Sequence, residues 1–235
     1  MEIFNLPKGC KVDKNIPKEI IYKNAEADEK FKRIFINNVE KIRYEYALTN
    51  GNSNIEKYIK DDEKYEEIHF IKIVLKEKGK ENVVSKLLHP LIPKSTVLKL
   101  EFKEEVIISA ATKRIGNNRV SVGEIYNTGW LNKDDEKLKD LEYNKLNSAN
   151  MKFLYESIVE KIRIINLSKY LKTEESVEKE KIDLLEILNK EIEELKILRK
   201  KTNQTNQVVE IQTKLLKKIE ERDKILGRSQ KDEEK

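Results

Sequence analysis

Cysteine is nearly absent from this 235-residue chain: Cys10 stands alone, so no disulfide can close within it. With His69 and His89 the only histidines, no spacing of thiolates and imidazoles assembles a structural zinc site, and metal binding through soft ligands is not expected. Proline is limited to Pro7, Pro17, Pro90 and Pro93, and the seven glycines stand singly. No GxxxxGK[ST] or GxGxxG loop occurs, which disfavours nucleotide hydrolysis, and no nucleotide or other cofactor is expected. No apolar run is long enough for a signal peptide or a membrane span, so a cytoplasmic protein without membrane contact is the expectation. Aromatic residues stop at Tyr170.

What is abundant is charge, at 39% of residues against 38% hydrophobic. Apolar material must therefore be concentrated somewhere to build a core. The net charge of +5 is unevenly placed: residues 1–171 hold 32 basic against 27 acidic side chains, and residues 172–235 hold 16 of each. The tail is a neutral polyampholyte, and an excess of five spread over the rest is too dilute to diagnose a nucleic-acid surface.

Hydrophobic spacing sets the expected elements. A short β-prone run at Ile20–Tyr22 is followed by a helix over about 25–48, because Phe31, Ile34, Phe35, Val39, Ile42 and Tyr46 recur at threes and fours. TNGNS at 49–53 signals a loop. Residues 67–75 form a strand apolar on both faces, hence interior. A short helix around Val84–Leu91 ends at Pro90 and Pro93. Strands follow near 96–102, 106–111 and 120–126, with turns at 103–105 and 116–118. A helix over about 148–167 then closes the core. The expected class is α+β, a mixed or antiparallel sheet with packing helices over residues 1–171, followed by a charged helical coiled-coil tail over 172–235 whose last residues are disordered.

In the tail, Leu185, Leu188, Ile192 and Leu195 fit a three-four seam, and so do Gln212, Leu215, Ile219 and Leu226. Between them RKKTNQTNQ, Arg199–Gln207, has no apolar side chain. Two readings are open, an antiparallel hairpin turning within 202–207, which is favoured, and one long helix with a polar patch.

Candidate chemistry is sparse. Glu101 and Lys103, two apart at the end of an apolar strand, share a face and could hold a metal and a water as restriction-type nucleases do. Such nucleases place a second carboxylate on the preceding strand of a hairpin, whereas here a helix and two prolines intervene. A solvated strand edge is the simpler reading. His69 in an apolar strand reads as a core histidine, and Phe31, Phe35, Tyr44, Tyr46, Phe70, Phe102 and Trp130 read mainly as core.

Leu6-Pro7-Lys8, Ile16-Pro17-Lys18, the tract IHFIKIVLKEKG, YNTGW at 126–130 and NQTNQVVEIQ in the tail together resemble a bacterial family catalogued as domain of unknown function 4391. The likeness spans nearly the whole chain. It departs from the family pattern at Thr205, where an aromatic is usual, and at Gln212, where Asn is usual. The resemblance implies genes placed beside DNA methyltransferases and helicase-like restriction subunits, and it carries no catalytic residue over. The expectation is a non-catalytic accessory subunit of a restriction-modification or anti-phage assembly. It would dock a methyltransferase or helicase partner through Leu185, Leu188, Ile192, Leu195, Val209 and Leu216, reaching DNA through that partner. A metal-dependent nuclease using Glu101 and Lys103, or a DNA-binding module, is the alternative.

Overall fold

The computed structural model describes residues 2–24, 29–60, 63–115, 120–169 and 179–226. They fall into two compact units, Met1–Asn166 and Leu167–Lys235.

In the first unit, a 3-10 turn at Lys8–Cys10 leads into β1 (Lys11–Asn15), α1 (Lys18–Asn24), α2 (Glu29–Asn38), β2 (Val39–Thr49) and the one-turn α3 (Asn50–Ser53). A side hairpin, β3 (Tyr58–Lys60) and β4 (Glu63–Tyr65), precedes β5 (Glu67–Leu75), α4 (Glu81–Leu91) and β6 (Ser95–Phe102). Then come β7 (Glu105–Ile115), β8 (Val120–Asn127), the two-residue β9 (Leu131–Asn132), two 3-10 segments within 136–145, and α5 (Met151–Ser168). The main sheet runs β1-β2-β5-β6-β7-β8, with β9 on β7. Among the described residues only β5 and β6 pair in parallel, joined by the crossover helix α4, so the protein is α+β with a mixed sheet.

Both faces of the sheet are covered, which is why β5 reads apolar on both sides. On one face Ile68, Phe70, Val97 and Ile108 pack with Leu154, Tyr155 and Ile158 of α5 and with Phe4 of the N-terminal segment. On the other, Ile71, Ile73, Leu98 and Leu100 pack with Phe35 of α2 and with Val84 and Leu88 of α4. Each such side chain contributes roughly 1.5–3 kcal/mol by leaving water. The phenol of Tyr155 ties α5 to two strands: its hydroxyl donates to Ala111 O at 2.7 Å and lies 3.2 Å from Thr96 O.

The expected helix over 25–48 is realised only as α2; residues 25–28 lie outside the described residues, and Val39 onward is strand. Pairing of β2 with β5 explains this, because its register breaks at two bulges, between Val39 and Lys41 and between Tyr44 and Tyr46. Each bulge inserts a residue, so Val39 and Ile42 share a face three positions apart, a helical spacing made by a strand. Ile20–Tyr22 is helical within α1, and TNGNS is α3, capped where Thr49 N donates to Asn52 Oδ1 at 2.8 Å. β1 and the β3–β4 hairpin carried no clear period and were not expected. The turn at 116–118 and the last residues, 227–235, lie outside the described residues.

The second unit is a pair of helices, α6 (Lys179–Lys201) and α7 (Thr205–Ile225), which pack on each other. Their three-residue connection and the ion pair Glu191–Lys218 at 2.9 Å make them an antiparallel hairpin. A continuous helix would hold those two residues about 40 Å apart.

Candidate functional site

The most concentrated polar geometry lies on the sheet face shared with α5. The register sets Lys72 of β5 directly beside Lys99 of β6, a like-charge pair that is unfavourable by itself. Two carboxylates relieve it. Glu45 of β2 lies 3.4 Å from the Lys72 ammonium and 2.6 Å from that of Lys99. Glu101 of β6 lies 3.7 Å from Lys72 and 3.5 Å from Lys99. The four side chains form a ring in which every charge touches two of opposite sign. Lys133, just after β9, reaches Glu101 from outside at 3.5 Å.

The ring floors a cleft of about 410 Å³ walled by Glu2, Ile3, Phe4 and Tyr46. Glu2 accepts a hydrogen bond from the Tyr46 hydroxyl. Glu45, Lys99 and Glu101 are largely withdrawn from water, with side-chain exposures of 15%, 14% and 16%.

A second polar group is sealed inside. The β7–β8 register shifts between Ala111 and Lys113, where β8 carries the extra residue, and Gly123 of β8 leaves room for the Thr112 side chain; Lys113, two residues from buried Ala111, faces inward. The Lys113 amine donates to Ile92 O and Lys94 O, both at 2.7 Å, closing the chain just past α4. Burial pushes its pKa down to about 7. His89, in the last turn of α4, meets Ser109 Oγ at 3.2 Å, and burial followed by the nearby Lys113 charge drives it down to about 3. Both side chains are enclosed, so this Ser-His contact is part of the core.

The sheet brings Glu101 to Lys72, Lys99 and Lys133. Lys103 sits in the β6–β7 turn at φ 53°, exposed, with its ammonium 5.2 Å from the Phe102 ring centre. The two-apart pair that shares a face with Glu101 is therefore Lys99, on its other side. Among the described residues, no three His, Cys, Asp or Glu side chains gather closely enough to hold a metal ion. His69 Nε2 lies 3.3 Å from the Glu67 carboxylate, and burial holds the imidazole below its usual pKa.

Of the tail residues, Leu185, Leu188 and Ile192 are buried together with Ile211 and Leu215. Leu195 is half-buried, whereas Val209 and Leu216 are 61% and 56% exposed. No described helix is long and apolar enough to cross a membrane.

Glu45, Lys72, Lys99 and Lys133 were missed by sequence reasoning. The signal for two of them was present, a lone lysine in the middle of an apolar strand (FIKIV and VLKLEF). Glu45 was hidden by the helical spacing around it.

The short motifs have local roles. In YNTGW, the Thr128 hydroxyl accepts from Ile108 N at 3.1 Å and Asn127 Oδ1 accepts from Gly129 N at 3.0 Å, with Gly129 at φ 73°. NQTNQVVEIQ spans the hairpin connection and the first turns of α7. No curated protein and no solved structure matches the chain. A family model matches residues 4–222, and the chain belongs to that family, described as Domain of unknown function (DUF4391).

Proposed function

We propose that the protein is a non-catalytic accessory subunit of a bacterial restriction-modification or anti-phage assembly, and that its α6–α7 hairpin docks a methyltransferase- or helicase-type subunit. The observation that carries this reading is the distribution of exposed apolar side chains. Among the described residues, six of the eleven large hydrophobics left exposed are Leu184, Ile187, Ile197, Leu198, Val209 and Leu216, all in the hairpin. Exposed apolar side chains concentrated on one pair of helices support a partner-binding surface there.

The docking stripe assigned to α7 is Val209 with Leu216, seven residues and two turns apart. An apolar helix of the partner reads that repeat by laying its own stripe along it. Leu185, Leu188 and Ile192, being buried, act by holding the hairpin in shape. The family's implied association with methyltransferase and helicase genes supplies the class of partner.

Co-expression with the methyltransferase- or helicase-type subunit of the same gene neighbourhood tests this. Wild-type chain co-purifies stoichiometrically, and Val209→Lys/Leu216→Lys releases the partner while far-ultraviolet circular dichroism stays unchanged. Retained partner in that double variant rejects docking on this stripe.

A further inference from the structure

The ring of Glu45, Lys72, Lys99 and Glu101 is not what stability alone selects. Charges withdrawn from water are often no more stabilising than apolar side chains of similar volume. The same sheet face is apolar elsewhere, at Ile68, Phe70, Val97 and Ile108. The charges begin where a cleft of about 410 Å³ opens, within the range of small-molecule sites.

The balance of donors indicates what such a cleft takes. Lys72, Lys99 and Lys133 have two, two and one carboxylate partners in the ring and at its edge. An ammonium carries three N–H donors, so each lysine retains at least one for a ligand. The ring is neutral, and at the rim Lys133 is balanced by Glu2, so the cleft as a whole is neutral and an anion would be held by the unused lysine N–H donors rather than by a net charge. Lysine is a phosphate binder that acts as a point charge, and the volume exceeds what a phosphate group fills, leaving room for an organic substituent.

We propose that this cleft binds a phosphate ester, its oxyanion held by Lys72, Lys99 and Lys133. Glu45 and Glu101 keep the lysines positioned in the absence of ligand. Glu2, on the wall, is the one negative group bonded to an uncharged partner, Tyr46, and it opposes the ligand. The proposal is independent of the hairpin. The phosphate can come from a free mononucleotide or from a nucleic-acid strand.

Calorimetric titration of the full chain with inorganic phosphate, adenosine monophosphate and a single strand of about eight nucleotides separates these sources. Binding of at least one ester is expected, weakened about five-fold in Lys133→Met and tightened in Glu2→Gln. Lys103→Met, which removes an exposed turn lysine outside the cleft, leaves it unchanged. Lys133 and Glu2 lie at the rim, so neither change threatens the fold. Saturation by the mononucleotide that excludes the strand assigns a nucleotide site, and binding of the strand alone assigns a nucleic-acid site. No binding by either ester, or an equal loss in Lys103→Met and Lys133→Met, overturns the proposal.

Discussion

Lys99 and Glu45 meet at 2.6 Å although their strands, β6 and β2, are separated by the whole of β5. Both side chains reach across the intervening strand, where Lys72 lies between them. Such a contact couples three strands through one ion pair and removes the repulsion of the Lys72–Lys99 register pair.

The coupling is measurable by a double-mutant cycle in urea. Lys99→Met leaves a half-buried carboxylate with fewer partners and is expected to cost about 1–3 kcal/mol, and Glu45→Gln a similar amount. The double variant costs less than the sum, because the second change removes the group that the first left unpaired. Strictly additive losses show that the ring does not couple the strands.

Lys113 makes stability depend on pH in a defined direction. Its folded pKa, about 7, lies below the ordinary lysine value of 10.5, so between these values the unfolded chain binds more protons. Stability from this group therefore rises with pH above 7 and is at its lowest below 7. Between pH 7 and 9 the gain is about 2–3 kcal/mol. Lys113→Met abolishes that slope and stabilises the protein at pH 7, provided the Ile92 and Lys94 carbonyls find water. A wild-type curve flat from pH 7 to 9, or a slope that survives the substitution, shows that the amine is not held neutral.

How far the fold could be read from the sequence depended on whether a segment's period came from one cause. Glu67–Leu75, covered on both faces, is continuous in apolar residues and was legible to the residue. The α6–α7 connection was legible because a polar gap interrupted two seams. β2 was misread because two bulges put strand residues on helical spacing, and pairing with β5 decided its state. The charged ring was illegible for a different reason: its members come from positions 45, 72, 99 and 101, with Lys133 beside them, and only the sheet register brings them together. Glu101 could be singled out as a carboxylate near a strand end, but its lysine partners lie on its own strand's other side, on β5 and beyond β9.

Residues 1–171 contain every aromatic residue and both apolar layers of the sheet, so this segment should fold by itself. A chain ending at residue 171 is expected to give a single cooperative urea transition by both tryptophan fluorescence, which reports Trp130, and circular dichroism. Loss of near-ultraviolet dichroism or rapid proteolysis of this fragment, when the full chain resists, shows that the sheet domain depends on the hairpin.

The hairpin's own geometry can be measured directly in solution. Glu194 and Lys214 are both exposed, lie on facing helices close to the Glu191–Lys218 pair, and tolerate a spin label without entering the packed side. Packed helices have axes about 8–10 Å apart, so labels at these positions should sit within roughly 20 Å. One continuous helix places the same positions about 30 Å apart at 1.5 Å per residue. Leu188→Lys serves as the control, because charging a 4% exposed leucine removes the packing that holds short helices together in water. The distance distribution should then broaden toward long values and helicity should fall. A narrow peak near 30 Å in the wild-type monomer contradicts the hairpin, and an unchanged peak in Leu188→Lys shows that contacts other than Leu188 hold it closed.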